Sequence, residues 1–167
     1  MRFLKNNIRD IFYGANDGIV TTFAIVTGAI GASLSHNIIL VLGFASLIAD
    51  GFSMAASNYL GTRSEREIAH MNGDKHSGSL YKPAAFTFVS FIAAGSLPLL
   101  PFVFGNGGFV IAAIATGLTL FLIGAVLGHL VLHRGWLAWG FEMLLIGGIA
   151  SGIAFAIGRL VGHFISA

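Results

Sequence analysis

The chain has 167 residues, of which 56% are hydrophobic and only 10% charged, with a formal charge of +2, 23 glycines and no cysteine. A soluble domain carries about 25% charged residues, so an ordinary soluble fold is excluded, and without cysteine so are disulfides and thiolate metal sites. Nine basic residues that form no continuous face exclude a nucleic-acid-binding surface.

A membrane-spanning helix needs about 20 mainly apolar residues. Five windows meet that requirement: 11–34, 40–60, 84–104, 109–132 and 137–165. The expected fold is therefore all-α, a polytopic membrane protein with five transmembrane helices in one domain, 1–167, whose partner is the lipid bilayer. The links SLSHN, GNGG and HRGW are short, so neighbouring helices should pack as antiparallel hairpins. Only 61–82 is a hydrophilic connection, a short loop with no room for a soluble domain. The first apolar stretch has no small-residue cleavage context, so no cleaved signal is expected.

The first span reads ANDGIVTTFAIVTGAIGAS. At about 1.5 Å per residue, Asp17 lies roughly 9 Å inside it. Asp17, Thr21, Ala24, Gly28 and Ala32 share one helical stripe, suited either to close helix contact or to a narrow polar path. In the second span Ser46, Asp50, Met54 and Asn58 follow one another at i,i+4, with Ser53 and Ser57 alongside. Burying an ionisable side chain in a membrane costs at least ~2.5–3.5 kcal/mol, so Asp17 and Asp50 are functional candidates by default. The alternative is a protonated acid hydrogen-bonded to a neighbouring helix.

The connection reads GTRSEREIAHMNGDKHSGSLYK. Arg63 and Glu67 are an i,i+4 pair that extends the second helix beyond the membrane. Glu67, His70 and Met71 share a face, which is either a cytoplasmic loading site for cations or a solvated helix end. In the third span SLPLLPF places Pro98 and Pro101 at a gate or at a ragged outer helix end. The fourth span carries His129 and His133 at the spacing of a helix-borne metal pair, without a third ligand nearby. Glu142, near the inner end of the fifth span, is ambiguous. Gly124/Gly128, Gly148/Gly152 and Gly158/Gly162 are close-packing signals.

Eight of the nine Lys and Arg residues fall before the first span, between the second and third, or between the fourth and fifth; Arg159 alone falls elsewhere. The positive-inside rule then puts the N-terminus in the cytoplasm and the C-terminus on the opposite side. Trp136 and Trp139 suit an interfacial belt.

Carboxylate oxygen combined with thioether sulfur is a mixed hard and soft donor set. Mg²⁺ and Ca²⁺ want oxygen alone, whereas first-row divalent ions tolerate both. A cation entering a site of buried carboxyl groups displaces their protons, so metal–proton exchange follows physically. No Walker motif and no nucleophile elbow is present, so an enzyme is not expected and any transport is secondary or channel-like. The competing readings are a non-transporting scaffold or sensor whose acids are structural, and a passive divalent cation channel.

DGIVTTFAIVTGAIGA followed by ADGFSMAASNYLGTRSERE resembles the vacuolar iron transporter family, with looser support from SLPLLPF and LLIGGIASGIAFAIG. The resemblance implies a five-span, usually dimeric protein that moves Fe²⁺, and often Mn²⁺, out of the cytoplasm in exchange for H⁺. No permanently bound cofactor is implied. It implies Asp17 as the intramembrane metal acid, Met54 as the thioether ligand, and Asp10 and Glu65 as acids near the cytoplasmic entrance. Asp50, as ligand or proton carrier, and Asn58, as a polar neighbour, belong to the same second-span motif. Plant-type members have a glutamate-rich cytoplasmic metal-binding domain between the second and third spans; here only 61–82 joins them, as in the nodulin-like and some bacterial members. A bacterial inner membrane or a vacuole-type membrane is the expected location.

Overall fold

The computed structural model describes residues 2–73, 78–105, 108–130 and 135–166, and among them there are six helices and no strand. The helices are α1 (Arg2–Gly31), α2 (His36–Met71), α3 (Tyr81–Gly95), α4 (Leu100–Val103), α5 (Phe109–Leu130) and α6 (Trp136–Ser166). His133, Lys75 and Arg134 lie outside the described residues.

Among the described residues, three helices are long and apolar enough to cross a bilayer: α2, α5 and α6. α1 is also long, at 30 residues, but carries the charged residues of its first half and Asp17. The third expected span is divided. α3 ends at Gly95, a turn occupies 96–99, and the single-turn α4 follows with Pro101 in its first turn. Proline cannot donate to the helix ladder, which explains a break beside Pro98. Pro98, Leu99 and Phe102 are nonetheless buried, so the broken segment is packed rather than frayed.

α2 runs unbroken for 36 residues, about 54 Å, and so extends well past a hydrocarbon core about 30 Å thick. Its far end is tied back to the connection. Arg66 donates to the Gly78 carbonyl at 2.9 Å, and the rings of Tyr59 and Tyr81 stack with centroids 5.2 Å apart.

α1 is the central helix and packs against α2, α3, α5 and α6. Glycine permits two of these approaches. A Cβ on Gly18 would collide with the Phe91 carbonyl of α3, and one on Gly158 of α6 with the Gly28 carbonyl of α1. Gly28 and Ala32 of the small-residue stripe thus make a helix contact with α6. Gly124 and Gly128 likewise sit against Trp139, whereas Gly148 and Gly152 face open space. The core gathers Phe23, Val26, Ile39, Leu47, Phe91, Leu99 and Phe102 between α1, α2, α3 and α4.

Candidate functional site

α2 buries one narrow stripe, Ile39, Gly43, Leu47 and Gly51, against the rest of the chain. The adjoining strip carries the polar residues and meets α1 and α3 in its C-terminal half. There Asn58 donates from Nδ2 to Asp10 Oδ1 of α1 at 2.9 Å and to Thr87 Oγ1 of α3 at 3.0 Å. Thr62 donates to Asn58 Oδ1 at 3.4 Å. A cavity of about 420 Å³ opens beside this junction, and Asp10, Glu65, Asn58 and Met54 all line it. Arg9 stands on the same wall, its guanidinium 5.6 Å from the centre of the Tyr13 ring.

The Asp10–Asn58 bond sets the register of α1 against α2, which run antiparallel through the tight turn that joins them. From that bond, seven residues along α1 reach Asp17 and eight back along α2 reach Asp50, roughly 10–12 Å in each case. The two acids consequently lie at about one level along the helices. Met54 lies between the levels, half-buried against the core. The seam therefore presents oxygen donors at its mouth, a thioether below them and Asp17 deeper still, with Asp50 at the same level on the exposed side of α2.

Asp17 is half-buried, and its carboxylate accepts no hydrogen bond from any described residue; Thr21 donates instead to the Asp17 backbone carbonyl at 2.6 Å. Asp50 accepts a hydrogen bond from Ser46. Asp50, Ser53 and Ser57 are exposed on a face whose apolar members include Ile48 and Phe52, the latter 70% exposed.

The cytoplasmic candidates are placed differently. Glu67 is paired with Arg63 at 2.9 Å, and Glu67, His70 and Met71 are all exposed. No group of three His, Asp or Glu residues suited to a metal occurs among the described residues. His129 is exposed at the end of α5, and Glu142 is exposed in an apolar groove of α6 with Phe141, Leu145 and Ile149.

Sequence reasoning singled out five of the residues around the cavity, Asp10, Met54, Ser57, Asn58 and Glu65, but missed Thr87. Its one sequence signal is a hydroxyl at i+4 from Pro83 in an otherwise apolar helix, a pattern normally satisfied within its own turn.

Apolar helices of spanning length, packed around a central helix with acids along an internal seam, define an α-helical membrane protein. The sequence profile of the VIT family matches residues 8–82 and 69–159, and the chain belongs to that family. It is 31% identical to vacuolar iron transporter homolog 3 of Arabidopsis thaliana, over 83% of this chain and 82% of that protein. Identity to homolog 4 of the same plant is 29%, over 93% and 84%. Identity to its vacuolar iron transporter 1 is 26%, over 93% and 86%. The last alignment runs over 217 positions although this chain has 167 residues, so that relative carries inserted residues; the alignment to homolog 4 runs over 171. The two profile segments overlap over 69–82, from the end of α2 to the start of α3.

Proposed function

We propose that the protein is a secondary transporter, not an enzyme, which exports Fe²⁺ and also Mn²⁺ from the cytoplasm in exchange for protons. Asp17, Met54 and Asp50 take the ion within the membrane, and Asp10, Asn58 and Glu65 receive it at the entrance. One observation carries the reading: the cavity at the α1–α2–α3 junction brings Asp10, Glu65, Asn58 and Met54 together, about two helical turns along α1 and α2 from the levels of Asp17 and Asp50. The donor set of oxygens and one thioether suits first-row divalent ions better than Mg²⁺ or Ca²⁺. Relatives named as iron transporters over most of the chain support iron as cargo. The protein then crosses the membrane five times as a single domain, 1–167, with α3 and α4 together making the third span and the N-terminus in the cytoplasm. The membrane is bacterial or vacuole-type.

The active form on this reading is a homodimer. An acid facing lipid costs at least ~2.5–3.5 kcal/mol, and Asp50 with Ser53 and Ser57 lies on the outer face of α2. A second copy across that face shields the carboxylates and closes the path.

Reconstitution into liposomes with an interior pH dye tests the function. Fe²⁺ entering by the cytoplasmic face should drive protons out of the lumen, and Asp17→Asn should abolish both signals. Unchanged flux and proton movement in that variant defeat the mechanism. Metal flux with no proton signal identifies a passive channel instead.

A further inference from the structure

We propose that Thr87 is a positioning residue for the cation entrance: it fixes the Asn58 side-chain amide so that the NH2 serves Asp10 and the carbonyl oxygen serves the incoming divalent ion. The inference rests on the transport reading above and concerns the mouth of the same seam.

The argument is one of hydrogen-bond direction. Thr87 is buried, 1% exposed, and its hydroxyl has a single hydrogen. That hydrogen is committed to the Pro83 carbonyl, 3.0 Å away. Toward Asn58 the hydroxyl can therefore only accept, and the Asn58 atom 3.0 Å from it must be the nitrogen. The second hydrogen of the same NH2 goes to Asp10 Oδ1 at 2.9 Å. An amide oxygen in that position would face the lone pairs of hydroxyl and carboxylate together. The amide is thus locked, and its oxygen is turned to the side where only Thr62 approaches, at 3.4 Å.

The packing holds Thr87 in reach. Gly14 of α1 has no side chain, and a Cβ there would run into the Thr87 carbonyl and the Ser90 hydroxyl. α3 therefore lies close enough to α1 for a hydroxyl on α3 to govern an amide on α2 that serves an acid on α1. Asp10, Asn58, Thr62 and Glu65 all line the cavity. With the amide locked, both Asn58 N–H groups are spent on Asp10 and Thr87, so at Asn58 a cation meets a carbonyl oxygen, in a cavity whose wall also carries the Asp10 and Glu65 carboxylates and the Arg9 guanidinium. Without the hydroxyl the amide is free to rotate and present its NH2 to the ion.

The test is Fe²⁺ uptake into proteoliposomes across a concentration series, with thermal unfolding of the same preparations. Thr87→Val, which keeps shape and removes the hydroxyl, should raise KM about threefold to tenfold, the worth of one net hydrogen bond. Its maximal rate per folded protein should stay at the wild-type level, and its unfolding temperature should fall by no more than the loss of one buried hydrogen bond explains. Thr87→Ser should restore the wild-type KM. In an Asn58→Leu background, Thr87→Val should change nothing further, because no amide remains to orient. Thr87→Ala makes the same deletion if the valine variant does not fold. An unaltered KM in the hydroxyl-deleted variant overturns the proposal. So does a serine variant that behaves like valine, or a valine effect that persists without Asn58. A wild-type protein that carries no Fe²⁺ overturns the transport reading itself, and is seen before any variant is measured.

Discussion

The two seams that α1 makes, one with α6 and one with α2, are built from similar small and polar residues and reach opposite ends. Along α6, Gly28 and Gly31 meet Ala154 and Phe155, and Gly158 and Gly162 meet Gly28 and Ala32. Backbones touch, and the buried Thr27 hydroxyl closes the contact by donating to the Ser151 carbonyl at 3.2 Å. Along α2 the facing residues are Asn58 and Met54, too large or too polar for backbone contact, and a cavity remains beside Asp10. The same helix therefore serves as a packing spine on one side and as the wall of a polar seam on the other. What decides between them is the partner: a glycine pair removes space, and an amide or thioether keeps it.

The largest effects should separate the two seams. Asp17→Asn should cut Fe²⁺ flux at least about a hundredfold, some 2.7 kcal/mol in the barrier. It should leave thermal unfolding in detergent unchanged or slightly raised, since an acid without a hydrogen-bond partner is lost. Gly158→Val should do the reverse. Its side chain meets the Gly28 carbonyl, which costs roughly 1–3 kcal/mol by overpacking, and the folded fraction should transport normally once scaled to protein recovered. A stability loss in Asp17→Asn as large as that in Gly158→Val would collapse the distinction and favour a scaffold.

Next in size is the outer face of α2. The chain has no cysteine, so single cysteines report contacts without background. Ser53→Cys should give a disulfide-linked dimer in membranes, because an isologous contact brings equivalent residues together near the two-fold axis. Gly148→Cys, equally exposed but on α6, should stay monomeric on the same gel. Met54→Leu comes third. A volume-conserving change in a half-buried site costs under about 1.5 kcal/mol of stability, whereas loss of the soft ligand should lower Fe²⁺ transport roughly tenfold. Equal loss in stability and flux would reassign Met54 to packing.

Much of this was legible in the sequence, for definite reasons. Apolar length announces a helix that crosses a membrane, and an acid inside such a length is costly enough to be noticed, so Asp17 and Asp50 stand out. The i,i+4 row from Ser46 to Asn58 follows from helical geometry alone. Thr87 was hidden because its role depends on which helix lies opposite, and a threonine in an apolar helix ordinarily satisfies itself against its own turn. The exact place of the break near Pro98 was also out of reach. It depends on Leu99 and Phe102 finding room in the core, which is a tertiary property. Glycine pairs show the same limit: Gly158/Gly162 and Gly148/Gly152 have identical spacing, yet only the first meets a neighbour.

The smallest expected effect falls on the C-terminal end of α2, and it sharpens the contrast between donors that converge and donors that merely share a face. Glu67, His70 and Met71 lie on one side of the helix, as a loading site requires. But the Glu67 carboxylate is engaged by Arg63 at 2.9 Å, and all three side chains are exposed, with no group of three His, Asp or Glu suited to a metal among the described residues. An exposed i,i+4 ion pair contributes little against solvent screening, so Glu67→Gln should shift the unfolding temperature barely at all. Replacing Glu67, His70 and Met71 together by alanine should change the KM for Fe²⁺ by less than about twofold, a free-energy difference near 0.4 kcal/mol. A rise of tenfold or more would mean that these side chains gather the ion before Asp10 and Glu65 do, and that the entrance to the seam begins a full turn or more beyond the cavity.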